Sequence, residues 1–170
     1  MVRKAAIALV TTLVLLGGAV AAGLRFNGTR SEPVGFYLAI RKRPEKGDLV
    51  FVNPPATPLF SMAKERGYLN VGFSPTAHLI KGLVGGDGDR VTIDSTGVEV
   101  NGIRLVNSVP MTHDAAGRPL QYFPLQNHTL GPDEVLLMSE YSPTSFDSRY
   151  FGPLQPTTIE SVITPILTWR

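Results

Sequence analysis

The chain of 170 residues contains no cysteine, which excludes a disulfide framework, a thiol nucleophile and a zinc site with thiolate ligands. It also lacks a surplus of charge in its body. Arg3 and Lys4 supply the whole net charge of +2, and no Lys/Arg stripe remains to bind phosphates. No nucleic-acid partner is therefore expected. His78, His113 and His128 do not stand at metal-ligand spacing, and there is no Gly-x-Ser-x-Gly elbow. Asp87-Gly88-Asp89 hints at a calcium loop, but Arg90 follows and no glutamate closes it. Neither metal nor cofactor is expected. With no repeats and no low-complexity linker, the length suits one compact domain plus an appendage.

The appendage is at the amino terminus. Ala5 to Leu24 is a run of 20 uncharged residues. At about 1.5 Å per helical residue it can cross a bilayer core of roughly 30 Å. Arg3 and Lys4 precede it, so the short tail should stay cytoplasmic and the body should be exported. Ala19-Val20-Ala21 also fits a signal-peptide cleavage site, but the apolar run is longer than a usual leader core, which favours an uncleaved anchor. Residues 1–24 are thus read as tail and transmembrane helix, with the membrane as a partner. Residues 25–170 are read as the exported domain.

That domain alternates in short segments broken by Gly and Pro. Asp48 to Pro54, Arg90 to Asp94 and Glu134 to Met138 are predicted strands. Gly97 to Leu105 alternates on both sides of Asn101-Gly102, a dipeptide suited to a two-residue hairpin turn. One short helix is predicted over Pro58 to Arg66, with Thr57 as N-cap and Gly67 after its end. The fold class is mainly β, built of antiparallel sheets.

Three segments carry candidate chemistry. Ser31 lies in a Pro/Gly-rich turn just beyond the apolar run, where most serines are merely solvated or capping. Lys81 sits among Leu79, Ile80, Leu83 and Val84. If its side chain points inward, desolvation lowers its pKa and makes it a competent base for a serine; on an edge strand it would simply face solvent. Asp147 and Arg149, two apart on an extended chain, would share a face and pair.

Together these segments resemble the signal peptidase I family, and within it the conjugative-transfer, TraF-type branch. Lys81 follows Ser31 by 50 residues, and a late box reads Ser145-Phe146-Asp147-Ser148-Arg149. Gly88-Asp89-Arg90-Val91 and Val100-Asn101-Gly102 match further family elements. The conjugative branch is suggested by Asn27-x-Thr29-x-Ser31-x-Pro33-x-Gly35-x-Tyr37, by Ala63 to Tyr68 and by the ending Ile163 to Trp169.

The resemblance implies a signal peptidase/LexA-like β-domain and a membrane-anchored serine endopeptidase. Ser31 matches the nucleophile and Lys81 its general base. Thr29 matches the oxyanion donor, Ser145 the serine that hydrogen-bonds the lysine, and Asp147 the supporting acid with Arg149 as its partner. Substrates would be preproteins or a propilin, bound extended against shallow pockets lined partly by Ile80, with the conjugation machinery as a further partner. The catalytic domain would lie in the periplasm of a bacterium, tethered to the inner membrane.

Three departures shape the reading. Ser31-Glu32-Pro33 is one residue shorter than the Ser-Met-x-Pro of housekeeping leader peptidases. Gly82 stands where many relatives carry arginine, so Asp147 must rely on Arg149. Met138-Ser139-Glu140 replaces their Gly-Asp-Asn. All three point towards the conjugative branch. Competing readings are a Ser-His-Asp hydrolase using His78, and a non-catalytic component of a pilus or secretion apparatus, which would leave Lys81 exposed and too far from Ser31 to touch it. A self-cleaving repressor is disfavoured by the apolar amino terminus.

Overall fold

In the computed structural model, residues 2–69 and 77–169 are described, so Met1 and Arg170, the outer limits of the two predicted segments, lie outside it. Helix α1 spans Val2–Ala21, with a mean hydropathy of 2.0 over its best window and no buried surface there. It is long and apolar enough to cross a membrane. Arg25 donates from one guanidinium nitrogen to the carbonyls of Val20 and Leu24, both at 3.2 Å, supplying a donor at the helix end.

The chain then forms β1 (Leu24–Asn27), β2 (Val34–Ile40) and β3 (Leu49–Val52), followed by α2 (Pro58–Glu65). After the undescribed stretch come β4 (Leu79–Gly85), β5 (Arg90–Asp94), β6 (Gly97–Val100) and β7 (Ile103–Arg104). β8 (Leu125–Thr129), β9 (Leu136–Met138), α3 (Ser148–Phe151) and β10 (Ile159–Trp169) complete the chain. Six strands form one antiparallel sheet in the order β1-β2-β10-β3-β4-β9; four form a second in the order β7-β6-β5-β8.

The predicted local signals are realised. Thr57 caps α2 by accepting from Phe60 N at 3.4 Å, Pro58 opens the helix, and Gly67 follows with φ +77°. Asn101 and Gly102 both have positive φ, 53° and 81°, as their hairpin turn requires. The alternation of β3 and β4 sends Val50, Val52, Leu79 and Leu83 into a core with Phe60 and Phe146, and Phe51 and Ile80 into a cluster with Tyr37 and Ile163.

One strand accommodates a proline, and one pairing differs from expectation. β10 runs through Pro165 because a bulge between Pro165 and Leu167 takes up the lost ladder bond. Asp147 and Arg149 do not lie on an extended strand: Asp147 is the N-cap of the one-turn helix α3, which contains Arg149. A cap carboxylate accepting the Arg149 N–H wins over extension here.

Candidate active site

Ser31 sits in the turn linking β1 to β2, and buried Asn27 organises that turn. Asn27 Nδ2 donates to the carbonyls of Glu32 at 3.0 Å and Pro33 at 3.1 Å. Its Oδ1 accepts from the Thr29 backbone N–H at 3.0 Å and from Thr29 Oγ1 at 2.8 Å. Thr29 Oγ1 and Ser31 Oγ are 3.0 Å apart. With the single Thr29 hydroxyl proton committed to Asn27, Ser31 is the donor in that contact. Tyr37 OH also donates to Pro33 O, and Gly35 lets the strand meet β10, where a Cβ would lie 2.2 Å from Leu167 O.

Lys81 is on β4, an interior strand between β3 and β9, and is 1% exposed. The exposed lysine expected of the non-catalytic reading is not found. Burial lowers its pKa to about 8; nearby Asp147 and Glu32 oppose that shift and Arg149 adds to it. Its Nζ donates to Ile80 O at 2.9 Å. Among the described residues no hydrogen bond joins Lys81 to Ser31, nor to Ser145, whose buried Oγ has no partner. The Ser145 contact implied by the resemblance is thus not made here, because Lys81 turns to its neighbour's carbonyl. Ile80 belongs to the buried cluster around Phe51 and forms core, not cleft surface.

What joins the two halves is Ser139, whose role sequence reading missed. It follows Met138, the last residue of β9 and the partner of Gly82 in the β4–β9 ladder, and so stands just past the end of that strand. Its hydroxyl donates to Ser31 O, and its N–H donates to Asp147 Oδ2 at 3.1 Å. Asp147 also binds Arg149 through both carboxylate oxygens, at 2.7 and 2.8 Å, with both side chains fully buried. The Asp147–Arg149 pairing expected from sequence is present.

Glu32, next to Ser31, is part-buried, and burial pushes its carboxyl up to about 7 against the lowering effect of Lys81. The histidines are engaged elsewhere. His78 stacks on Phe51 at 4.4 Å and lies 3.3 Å from Glu160, while His128 contacts Glu134 at 2.7 Å. Chemically, the arrangement offers a turn hydroxyl with a neighbouring hydroxyl, and a buried amine of lowered pKa that interacts with Glu32, the residue after Ser31.

Comparison with known proteins matches residues 2–167 to the family described as signal peptidase, peptidase S26. Two plasmid transfer proteins TraF from Escherichia coli are similar. One is 45% identical over 96% of this chain and 93% of its own length; the other is 46% identical over 92% and 90%. A signal peptidase I of known structure from Enterococcus faecalis V583 is 20% identical, covering 72% of this chain and 98% of its own, with a TM-score of 0.42.

Proposed function

The chain belongs to the signal peptidase S26 family, and from that premise we propose that it is a serine endopeptidase whose Ser31 and Lys81 act as a catalytic dyad. The observation that carries the proposal is a buried lysine with its pKa lowered to about 8, near enough to the Ser31 turn to interact electrostatically with Glu32, the residue after Ser31.

Neutral Lys81 takes the Ser31 proton once Ser31 exchanges its Thr29 partner for the amine, and Oγ attacks the scissile carbonyl. The oxyanion is met by the Ser31 N–H and by Thr29, whose hydroxyl turns from Asn27 Oδ1. Asn27 Oδ1 keeps the Thr29 N–H, so no buried acceptor is orphaned. Lys81 then protonates the leaving amine. Water hydrolyses the acyl-enzyme, or a substrate amine closes a ring.

We propose a conjugative pilin precursor as substrate, because the relatives are plasmid transfer proteins. Helix α1 would tether the enzyme to the inner membrane with its catalytic domain in the periplasm, where an exported precursor emerges. The test is incubation of the purified full-length protein with the candidate precursor, read by mass spectrometry. Processing that vanishes in Ser31→Ala and in Lys81→Ala supports the dyad; cleavage persisting in either overturns it. A product lighter by one water than the linear form identifies cyclisation.

A further inference from the structure

A cavity of about 390 Å³ is lined by Arg30, Glu32, Val34, Tyr141 and Trp169. Arg30 and Glu32 flank Ser31 in sequence, and Tyr141 follows Ser139 by two residues, so the cavity adjoins the proposed nucleophile. Its lining combines one carboxyl group and one guanidinium with two aromatic side chains, Tyr141 and Trp169, that are 42% and 46% exposed, the Trp169 ring also meeting Phe26 and Phe36. A carboxylate and open aromatic faces attract the same kind of group, a cation. Among the described residues no salt bridge joins Glu32 to Arg30, which lines the same cavity, or to Lys81, which is near enough to favour its ionised form.

Resting on the peptidase reading above, we propose that this cavity is a substrate subsite for a cationic group close to the scissile bond, an ammonium or guanidinium held by Glu32 and the rings of Tyr141 and Trp169.

The groups around Glu32 make such a cation consequential for the base. Lys81 favours its ionised form, while Asp147 and Glu140 disfavour it. Ionised Glu32 in turn raises the proton affinity of Lys81. A cation seated on Glu32 favours its ionised form and at the same time offsets its field at Lys81.

The test uses ten-residue peptides spanning the junction of a pilin precursor, identical except for Lys or norleucine at one flanking position at a time. Binding is measured in detergent to the full-length Ser31→Ala chain and to the Ser31→Ala/Glu32→Gln chain. At one position the first should bind the Lys peptide about five- to tenfold more tightly at low salt. Added salt should erode that preference, and Glu32→Gln should bring the ratio to about one.

A ratio near one at every position, or a preference that survives Glu32→Gln, overturns the subsite. Should the double variant not fold, Tyr141→Leu and Trp169→Leu in the Ser31→Ala chain carry the test, and an unchanged ratio in both overturns it. Binding needs no nucleophile, so this outcome is separate from that of the peptidase reading. The latter fails if the unmodified chain shows no Ser31-dependent cleavage of the norleucine peptides.

Discussion

The hydroxyl of Ser139 donates to the backbone carbonyl of Ser31 across 108 residues of sequence. Through that bond the turn carrying the nucleophile is hung from the strand that neighbours Lys81, and Asp147 steadies Ser139 from behind at 3.1 Å. The position of Ser31 relative to Lys81 therefore depends on a residue that need not touch substrate.

Removing the tie should show itself in turnover. Ser139→Ala frees the Ser31 carbonyl and lets the turn drift, and small misplacements of reacting groups cost rate steeply. The expected result is a fall in kcat of about tenfold to a hundredfold with a smaller change in KM. Steady-state kinetics on a fluorogenic junction peptide measures it. Kinetics indistinguishable from the parent would mean that the tie does not position Ser31.

Lys81 should be a site where stability is sacrificed for activity. Its pKa falls from 10.5 to about 8 because burial disfavours the ammonium. Between those values the unfolded chain binds more protons, so stability rises with pH across that window. Lys81→Met removes the buried charge at similar volume. It should abolish peptidase activity and stabilise the fold by about 1–3 kcal/mol at neutral pH. The gain should be largest below pH 8 and shrink towards pH 10.5. Thermal melts at three pH values check it.

The pH dependence of turnover has its own sign. With a neutral Lys81 as base, kcat/KM should rise with pH through an apparent pKa of about 8. Ionised Glu32 raises the pKa of Lys81, so Glu32→Gln should move that limb to lower pH. A limb that moves upward, or disappears in His78→Ala, would point to a different base.

Thr29 is tested by its hydroxyl alone. Thr29→Val keeps the shape but removes the donor proposed to turn towards the oxyanion, and loss of such a donor typically costs about 10²–10³-fold in kcat. Thr29→Ser should recover much of the rate. Equal rates for the two variants would leave the Ser31 N–H as the working donor.

Much of this arrangement could be read along the chain, and what escaped has a common cause. The cap of α2 and the Asn101-Gly102 turn are local patterns whose partners lie within a few residues, whereas the neighbours of Lys81 fit an inward and a solvent-facing side chain equally well. Asn27 and Ser139 stand in the motifs, but their roles are hidden because they act on backbone carbonyls, at Glu32, Pro33 and Ser31. Every residue carries a carbonyl, so side-chain identity gives no hint of which one is chosen. The partners of Lys81 and Ser145 were equally hidden, since one rotamer decides whether the amine meets a hydroxyl or Ile80 O.

The Asp147–Arg149 pair offers the sharpest separation of support from chemistry. Arg149 is buried and donates to Asp147, to Asn107 O at 2.7 Å and to Pro143 O at 3.0 Å. Asp147→Asn would leave that guanidinium without its counter-charge, a loss that typically costs about 3–5 kcal/mol when a buried pair is broken. Denaturation of the full-length chain should show a fall of that size, and turnover at 37 °C should collapse with it. At low temperature the variant that remains folded should still cleave, because Ser31 and Lys81 are intact. Its acid limb should lie at lower pH than the parent's, since Asp147 also raises the pKa of Lys81. A variant that is stable yet inactive would instead place Asp147 in the chemistry itself.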